Sequence, residues 1–171
     1  SRGDIITLGN LALRVLHPGS LTGESNKDSM VLLLDCGEVE VLLTGDAEVA
    51  SERIIIQAAV LPDIDVLKVG HHGSRSSTSG AFLDVIRPEV AIISAGLNNQ
   101  YGHPHGEVLD RLWDARLSGA CANHILYGQG RQPAINGHVL SGLHVVQAEG
   151  QVVAPGAVLI HLLVRVVNLA T

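Results

Sequence analysis

Residues able to do chemistry gather where short aliphatic runs end. That is where α/β sheets hold their sites, because strand tips aim side chains into a crevice lined by loops. The first such point is Leu42-Leu43-Thr44-Gly45-Asp46. A carboxylate leaving a buried strand through a tight glycine turn is held rigidly, and its two oxygens can face separate metal ions. Asp46 can equally be the N-cap of a helix expected over Ala47 to Val60, and the two roles are compatible. The second point is Val69-Gly70-His71-His72-Gly73-Ser74. Imidazole is a common metal ligand, and flanking glycines let backbone come close to an ion or a phosphate. Adjacent side chains diverge, so the pattern implies one ligating histidine and one that orients or meets substrate; a solvated polar loop is the plain alternative. The third runs from Ser94 to His105 and sets Asn98, Asn99, Gln100, Tyr101, His103 and His105 before a helix start. A helix N-terminus favours an anion there. His103 either contacts that anion or caps the helix, and His105 is expected on the solvated first turn.

Asn26-Lys27-Asp28-Ser29, ahead of Met30, is by itself an ordinary turn. His17, His124, His138, His144 and His161 lack ligand spacing and are expected to be structural or surface residues.

The elements that must position these groups follow from periodicity. Ile5 to Leu8 and Leu11 to Leu16 predict a hairpin turning at Gly9-Asn10. Met30 to Asp35 and Val39 to Leu43 predict a second one around Cys36-Gly37-Glu38, aliphatic enough for burial on both faces. Helical spacing over Ala47 to Val60 nominates Val49, Ile54, Ile55, Ala58 and Ala59 for the core. Val66 to Val69 and Val90 to Ser94 are expected as buried strands, and Gly80 to Ile86 as a short helix. Pro104 to Leu117 is expected as a helix with proline in its first turn and Val108, Leu109, Leu112 and Trp113 inward. Hairpins followed by alternating strand and helix give an α/β layered domain. After Gly119 the pattern weakens to one strand at Asn123 to Tyr127, a loop-like Gly128 to Gly142, and faint strand signals over the last thirty residues.

Composition narrows the classes. With 171 residues, 46% of them hydrophobic, the chain can build one core. Eleven basic residues against 17 acidic ones give a net charge of −6. This argues against a polyanion-coating surface but not against nucleic acid held at a metal site. One Trp, one Phe and two Tyr are too few for a base-stacking platform. Cys36 and Cys121 form no disulfide or zinc-ribbon pattern, and Cys36, after its aliphatic run, is expected to be buried. There is no secretory pattern at the N-terminus, and Pro155, His161 and Arg165 interrupt the apolar stretch Val152 to Ala170. The chain is therefore expected to be soluble, with strands there in place of a membrane span.

The clusters resemble, in order and spacing over about 110 residues, the C-terminal metallo-β-lactamase-like domain of the ComEC family, membrane channel proteins of bacterial DNA uptake. The resemblance lies in Asn26 with Ser29-Met30-Val31-Leu32, then Leu42 to Asp46, and Glu52 in the following helix. It continues through Asp65 to Ser74, Ser76, Phe82-Leu83 and Pro88, and closes with Ile92 to Ser94, Asn99, Tyr101 to Pro104 and Val108-Leu109.

The resemblance implies an α/β fold, part of an αββα sandwich: the second sheet with its flanking helices, over residues 1–119, then a divergent tail, 120–171. It implies metal ligation by Asp46 and His71, with His72, Ser74 and His103 as catalytic, supporting or substrate-contacting groups. The cofactor would be a divalent metal ion, zinc or manganese. The activity implied is phosphodiester hydrolysis by a metal-bound hydroxide, degrading the non-transported DNA strand, with two ions about 4 Å apart. Partners implied are DNA and the channel part of the parent protein, which would sit in the bacterial cytoplasmic membrane with this domain on its outer face.

The superfamily's His-x-His-x-Asp-His motif does not occur. His103-Pro104-His105 is followed by Gly106 and Glu107. Two protein ligands fall short of the three or four that hold zinc firmly, so metal is expected to be weakly held or absent and hydrolysis slight. The alternative is a catalytically inactive module contacting DNA or a partner. Half a sandwich would also leave one face of the two aliphatic strands open, favouring self-association unless the tail covers it.

Overall fold

The structure, a computed structural model, describes residues 1–8, 11–37, 39–58, 61–96, 99–117, 124–127, 134–135, 138–139 and 143–144. The first hairpin is β1 (Ile5–Leu8) with β2 (Leu11–His17), and its expected turn at Gly9-Asn10 lies outside the described residues. β2 pairs antiparallel with β3 (Val31–Asp35), and β3 with β4 (Glu40–Leu43). From β4 onward the sheet becomes parallel. β5 (Val66–Lys68), β6 (Val90–Ile93), β7 (His124–Tyr127) and β10 (Leu143–His144) follow in that order. Parallel neighbours need crossovers, and helices α1 (Val49–Ala58), α2 (Gly80–Ile86) and α3 (Gly106–Leu117) supply the three between β4 and β7. β8 (Ala134–Ile135) and β9 (His138–Val139) form a small separate hairpin where a loop was expected; of the last thirty residues, expected as faint strands, 143–144 form β10 and 145–171 lie outside the described part.

All three helices pack on one face of the sheet. Leu42, Leu67, Ala91 and Ile93 meet Ile55, Phe82, Leu83, Ile86, Val108, Leu109 and Leu112 there. The other face carries Leu34, Val41, Leu43, Val66 and Ile92. The aliphatic content of these strands predicted burial on both faces, and half a sandwich an open face unless the tail covered it; Leu34, Val41 and Leu43 are all buried.

Both longer helices start two residues later than their patterns suggest, because tertiary bonds take the first residues. Ala47 donates its N–H to the Thr44 carbonyl at 3.1 Å, closing a turn, and the Val49 N–H goes to the Ser76 carbonyl at 2.9 Å. Asp46 is therefore not the cap of α1. Within α1 the inward face is Ser51, Glu52 and Ile55, while Ile54 and Ala58 are exposed. At α3, His105 gives its N–H to the Gly73 carbonyl (2.9 Å), and its own carbonyl receives the N–H groups of Val108 and Leu109. Pro104 thus precedes the helix, and His103 does not cap it. Cys36, expected inside, is exposed in the turn after β3. Its thiol is held above the ordinary range by partial burial, then by the charges of Asp35 and Glu40.

Candidate functional site

The site lies at the carboxyl ends of β4, β5 and β6, where the parallel half of the sheet opens. Thr44-Gly45-Asp46 turns tightly away from β4. Gly45 sits at φ +52°, and a Cβ there would lie 2.8 Å from Ser29 Oγ and 2.9 Å from the Met30 carbonyl oxygen. Glycine is needed for both reasons. Ser29 Oγ accepts the Asp46 N–H at 2.7 Å, and Gly45 accepts the His71 N–H at 2.9 Å. The turn is pinned from two sides through its backbone, which leaves the Asp46 carboxylate to face the next loop.

After β5 the chain forms a tight turn over Gly70–Gly73 in which His71 (φ 47°) and His72 (φ 55°) are both left-handed. A non-glycine residue bears about 1–2 kcal/mol in that conformation, so two in succession persist only where the surroundings dictate them. Here Ser77 Oγ bonds the Gly70 carbonyl (2.7 Å), the Gly70 N–H reaches Thr78 Oγ1 (3.3 Å), and the Ser74 N–H returns to the His71 carbonyl (2.8 Å).

The turn sends the two imidazoles to different carboxylates. His72 Nδ1 lies 2.7 Å from the Ser94 carbonyl oxygen at the end of β6, and since that oxygen can only accept, Nδ1 carries the proton. In the neutral ring Nε2 then presents its lone pair 3.7 Å from Asp46 Oδ1, the distance at which the protonated ring would form an ion pair with the same oxygen. His71 Nδ1 is buried without a hydrogen-bond partner among the described residues, 3.6 Å from Glu48 Oε1. Glu48 is in turn held by Ser76 Oγ (2.9 Å) and Asn26 Nδ2 (3.3 Å). Nothing in the residue pattern distinguished Glu48 from any acid at a helix start.

Ser74 is buried, and its hydroxyl pairs with Ser76 Oγ at 3.0 Å, one link from Glu48. His103 lies among the other rings, with centroids 5.7 Å from His71, 6.4 Å from His72, 5.7 Å from Tyr101 and 4.8 Å from His105. Asn99 clamps it, Nδ2 donating to its carbonyl and Oδ1 accepting its N–H. Burial pushes its pKa down, and the charges on His105, His71 and His72 push the same way against Asp46. His105, half-buried just before α3, accepts the Arg75 N–H at its Nδ1 at 3.2 Å, an exposed bond.

Lys68, at the end of β5, is buried; burial lowers its pKa, and Asp46 partly offsets this.

The 3.7 Å between His72 Nε2 and Asp46 Oδ1 is less than twice a metal–ligand bond of about 2.1 Å, so both atoms can reach one divalent ion. Among the described residues no group of three or more His, Cys, Asp or Glu side chains is assembled to hold a metal.

No family model matches the chain. It is 45% identical over 114 residues to ComE operon protein 3 of Bacillus subtilis, a stretch making up 65% of this chain and 14% of that protein. It is 46% identical over 122 residues to Recombination protein 2 of Haemophilus influenzae, 71% of this chain and 15% of that one. Competence protein ComA of Neisseria gonorrhoeae is 37% identical over 90 residues, 52% of this chain and 13% of that one. The link to the ComEC family holds in these matches. The matched stretches span about a seventh of these relatives' length. Among the described residues no helix is long and apolar enough to cross a membrane.

Proposed function

We propose that this chain is the second half of a metallo-β-lactamase-like hydrolase domain, of phosphodiesterase or nuclease type, from a protein of bacterial DNA uptake and transformation. Similarity to a protein named for competence supports the setting. The observation that carries the chemistry is His72, whose tautomer is fixed by Ser94 so that Nε2 faces Asp46. A main-chain carbonyl behind a ligating histidine orients the ring and raises its basicity.

Asp46 and His72 would hold a zinc or manganese ion, with His71 and Glu48 beside them. When bound, such an ion lowers the pKa of water and stabilises charge on a phosphoryl group. Ser94 keeps the His72 lone pair aimed, Ser76 and Asn26 hold Glu48, and His103, kept neutral, can accept a proton near the reacting phosphate. The partners are a DNA strand as substrate and the channel part of a membrane-embedded parent. A two-residue donor pair also supports a second reading, an inactive module that contacts DNA without cleaving it.

Titration of the chain with Mn2+ and Zn2+ by calorimetry, alongside cleavage of an end-labelled single strand, tests both. Metal binding that weakens at least tenfold in Asp46→Asn and in His72→Asn is expected. Binding indifferent to both substitutions rejects the metal assignment. DNA retention without metal-dependent cleavage favours the inactive module.

A further inference from the structure

A second site lies behind the loop that serves the first. A cavity of about 260 Å3 opens between the end of β2, the loop 18–29 and the first turn of α1, and Arg2, His17, Ser20, Thr22, Lys27 and Ser51 line it. In a chain of net charge −6, two cations and three hydroxyls line one cavity, with the carboxylates of Glu24 and Asp28 close by.

His17 is 95% buried, at 5% relative exposure. Its Nε2 lies 2.7 Å from the Lys27 carbonyl oxygen and so carries a proton. Its Nδ1 is buried without a hydrogen-bond partner among the described residues. Arg2 is held over the cavity by its own N–H, bonded to the Pro18 carbonyl at 2.8 Å. Its guanidinium lies against Gly19, where a Cβ would come within 3.3 Å of the terminal nitrogen. Among the described residues no carboxylate pairs with Arg2. Lys27 pairs with Glu24 at the exposed surface. The nearby Asp28 is already taken by the Thr22 and Gly23 N–H groups and the Thr22 hydroxyl. Ala50 and Ser51 bring the N-terminal turn of α1, with its favourable dipole, to the same cavity.

We propose that this cavity binds a phosphate group, independently of any metal, through Arg2, Lys27, His17 and the Ser20 and Ser51 hydroxyls. A hydrogen phosphate can donate its own P–O–H to the His17 Nδ1 lone pair, whereas a phosphodiester needs the imidazolium there. The loop carrying Thr22 and Lys27 also carries Asn26 to Glu48 and Ser29 to Asp46. A phosphate in the cavity would therefore sit one loop away from the candidate site.

Two probes separate the sources of the phosphate: inorganic phosphate, and a twelve-nucleotide single strand without terminal phosphate. Arg2→Gln combined with Lys27→Gln is expected to weaken binding at least tenfold, without lowering the melting temperature of these exposed positions. His17→Gln, which keeps a donor for the Lys27 carbonyl, is expected to weaken it several-fold, and Asp46→Asn to leave it unchanged. Loss of both probes assigns a strand's backbone phosphate, with the salt slope falling by about 0.7 per contact removed. Loss of inorganic phosphate alone assigns a free or terminal phosphate. The proposal is overturned if neither probe binds, if the double variant binds as the parent does, or if phosphate-induced NMR shifts centre on His71 to His105 instead of Ser20, Thr22 and Ser51.

Discussion

His72 is tied at one ring nitrogen and open at the other, and its conformation depends on the glycine that follows. Gly73 lies at φ +82°, with Pro104 so close that a Cβ would come 2.6 Å from the proline Cβ. Gly73→Ala must therefore strain the backbone and displace the loop holding His103. We expect a loss of about 1–3 kcal/mol in urea unfolding, the range in which overpacking falls, together with weaker metal binding. Asp46, His71 and His72 were legible in the sequence because glycines flank them at strand ends. Which histidine faces which carboxylate was not, since the left-handed turn that separates them is a property of the folded loop. Glu48 escaped notice because its role is made by Ser76 and Asn26, 28 and 22 residues away. Cys36 misled because an aliphatic run says nothing of the turn that ends it.

Between elements, the loop from Ser74 to Ser79 is gripped by opposite charges from two helices. Glu52 of α1, buried at 2% exposure, accepts the N–H groups of Thr78 and Ser79. Arg111 of α3 donates to the carbonyls of Thr78 (2.9 Å) and Ser77 (2.8 Å). Thr78 itself is left-handed at φ 53°, unusual for a β-branched residue, and this grip accounts for it. Glu52→Ala leaves two N–H groups without their acceptor and should cost about 2–6 kcal/mol, at about 1–3 per buried group stranded. Arg111→Ala should cost less, because its guanidinium is partly exposed. A double-mutant cycle should show the two coupled, since both act on one strained residue; additive losses would separate them. Here the helices were legible from their spacing, but their starts were not. At α1 and α3 the first N–H groups are claimed by Ser76 and Gly73, contacts that no local pattern contains.

At the scale of the molecule, helices cover one face of the sheet and Lys68 lies buried, aligned in register between Leu43 and Ile92. Burial lowers its pKa below 10.5 in the folded chain. Between that lowered value and 10.5 the unfolded chain binds more protons than the folded one, so this group makes stability rise with pH. Lys68→Met is expected to be the more stable protein near neutral pH, with the gap narrowing as pH climbs towards 10.5 in parallel urea titrations. An unchanged gap would mean that the ammonium is solvated. The α/β class, the hairpin pair and the alternation of strand and helix were all legible, because short aliphatic runs bounded by turns admit few other arrangements. Burial of both faces of β3 and β4 was legible too, from their near-continuous aliphatic content, but not what covers the second face.

The left-handed pair in the Gly70–Gly73 turn has an evolutionary consequence. A chain released from the need for these imidazoles could put glycine at 71, relieve about 1–2 kcal/mol of backbone strain, and give up only the extra freedom glycine adds to the unfolded state, about 0.4–1 kcal/mol. His71→Gly should therefore melt at the same temperature as the parent or higher. Selection for stability alone would erode this position, so histidine there marks a cost that folding never asked for.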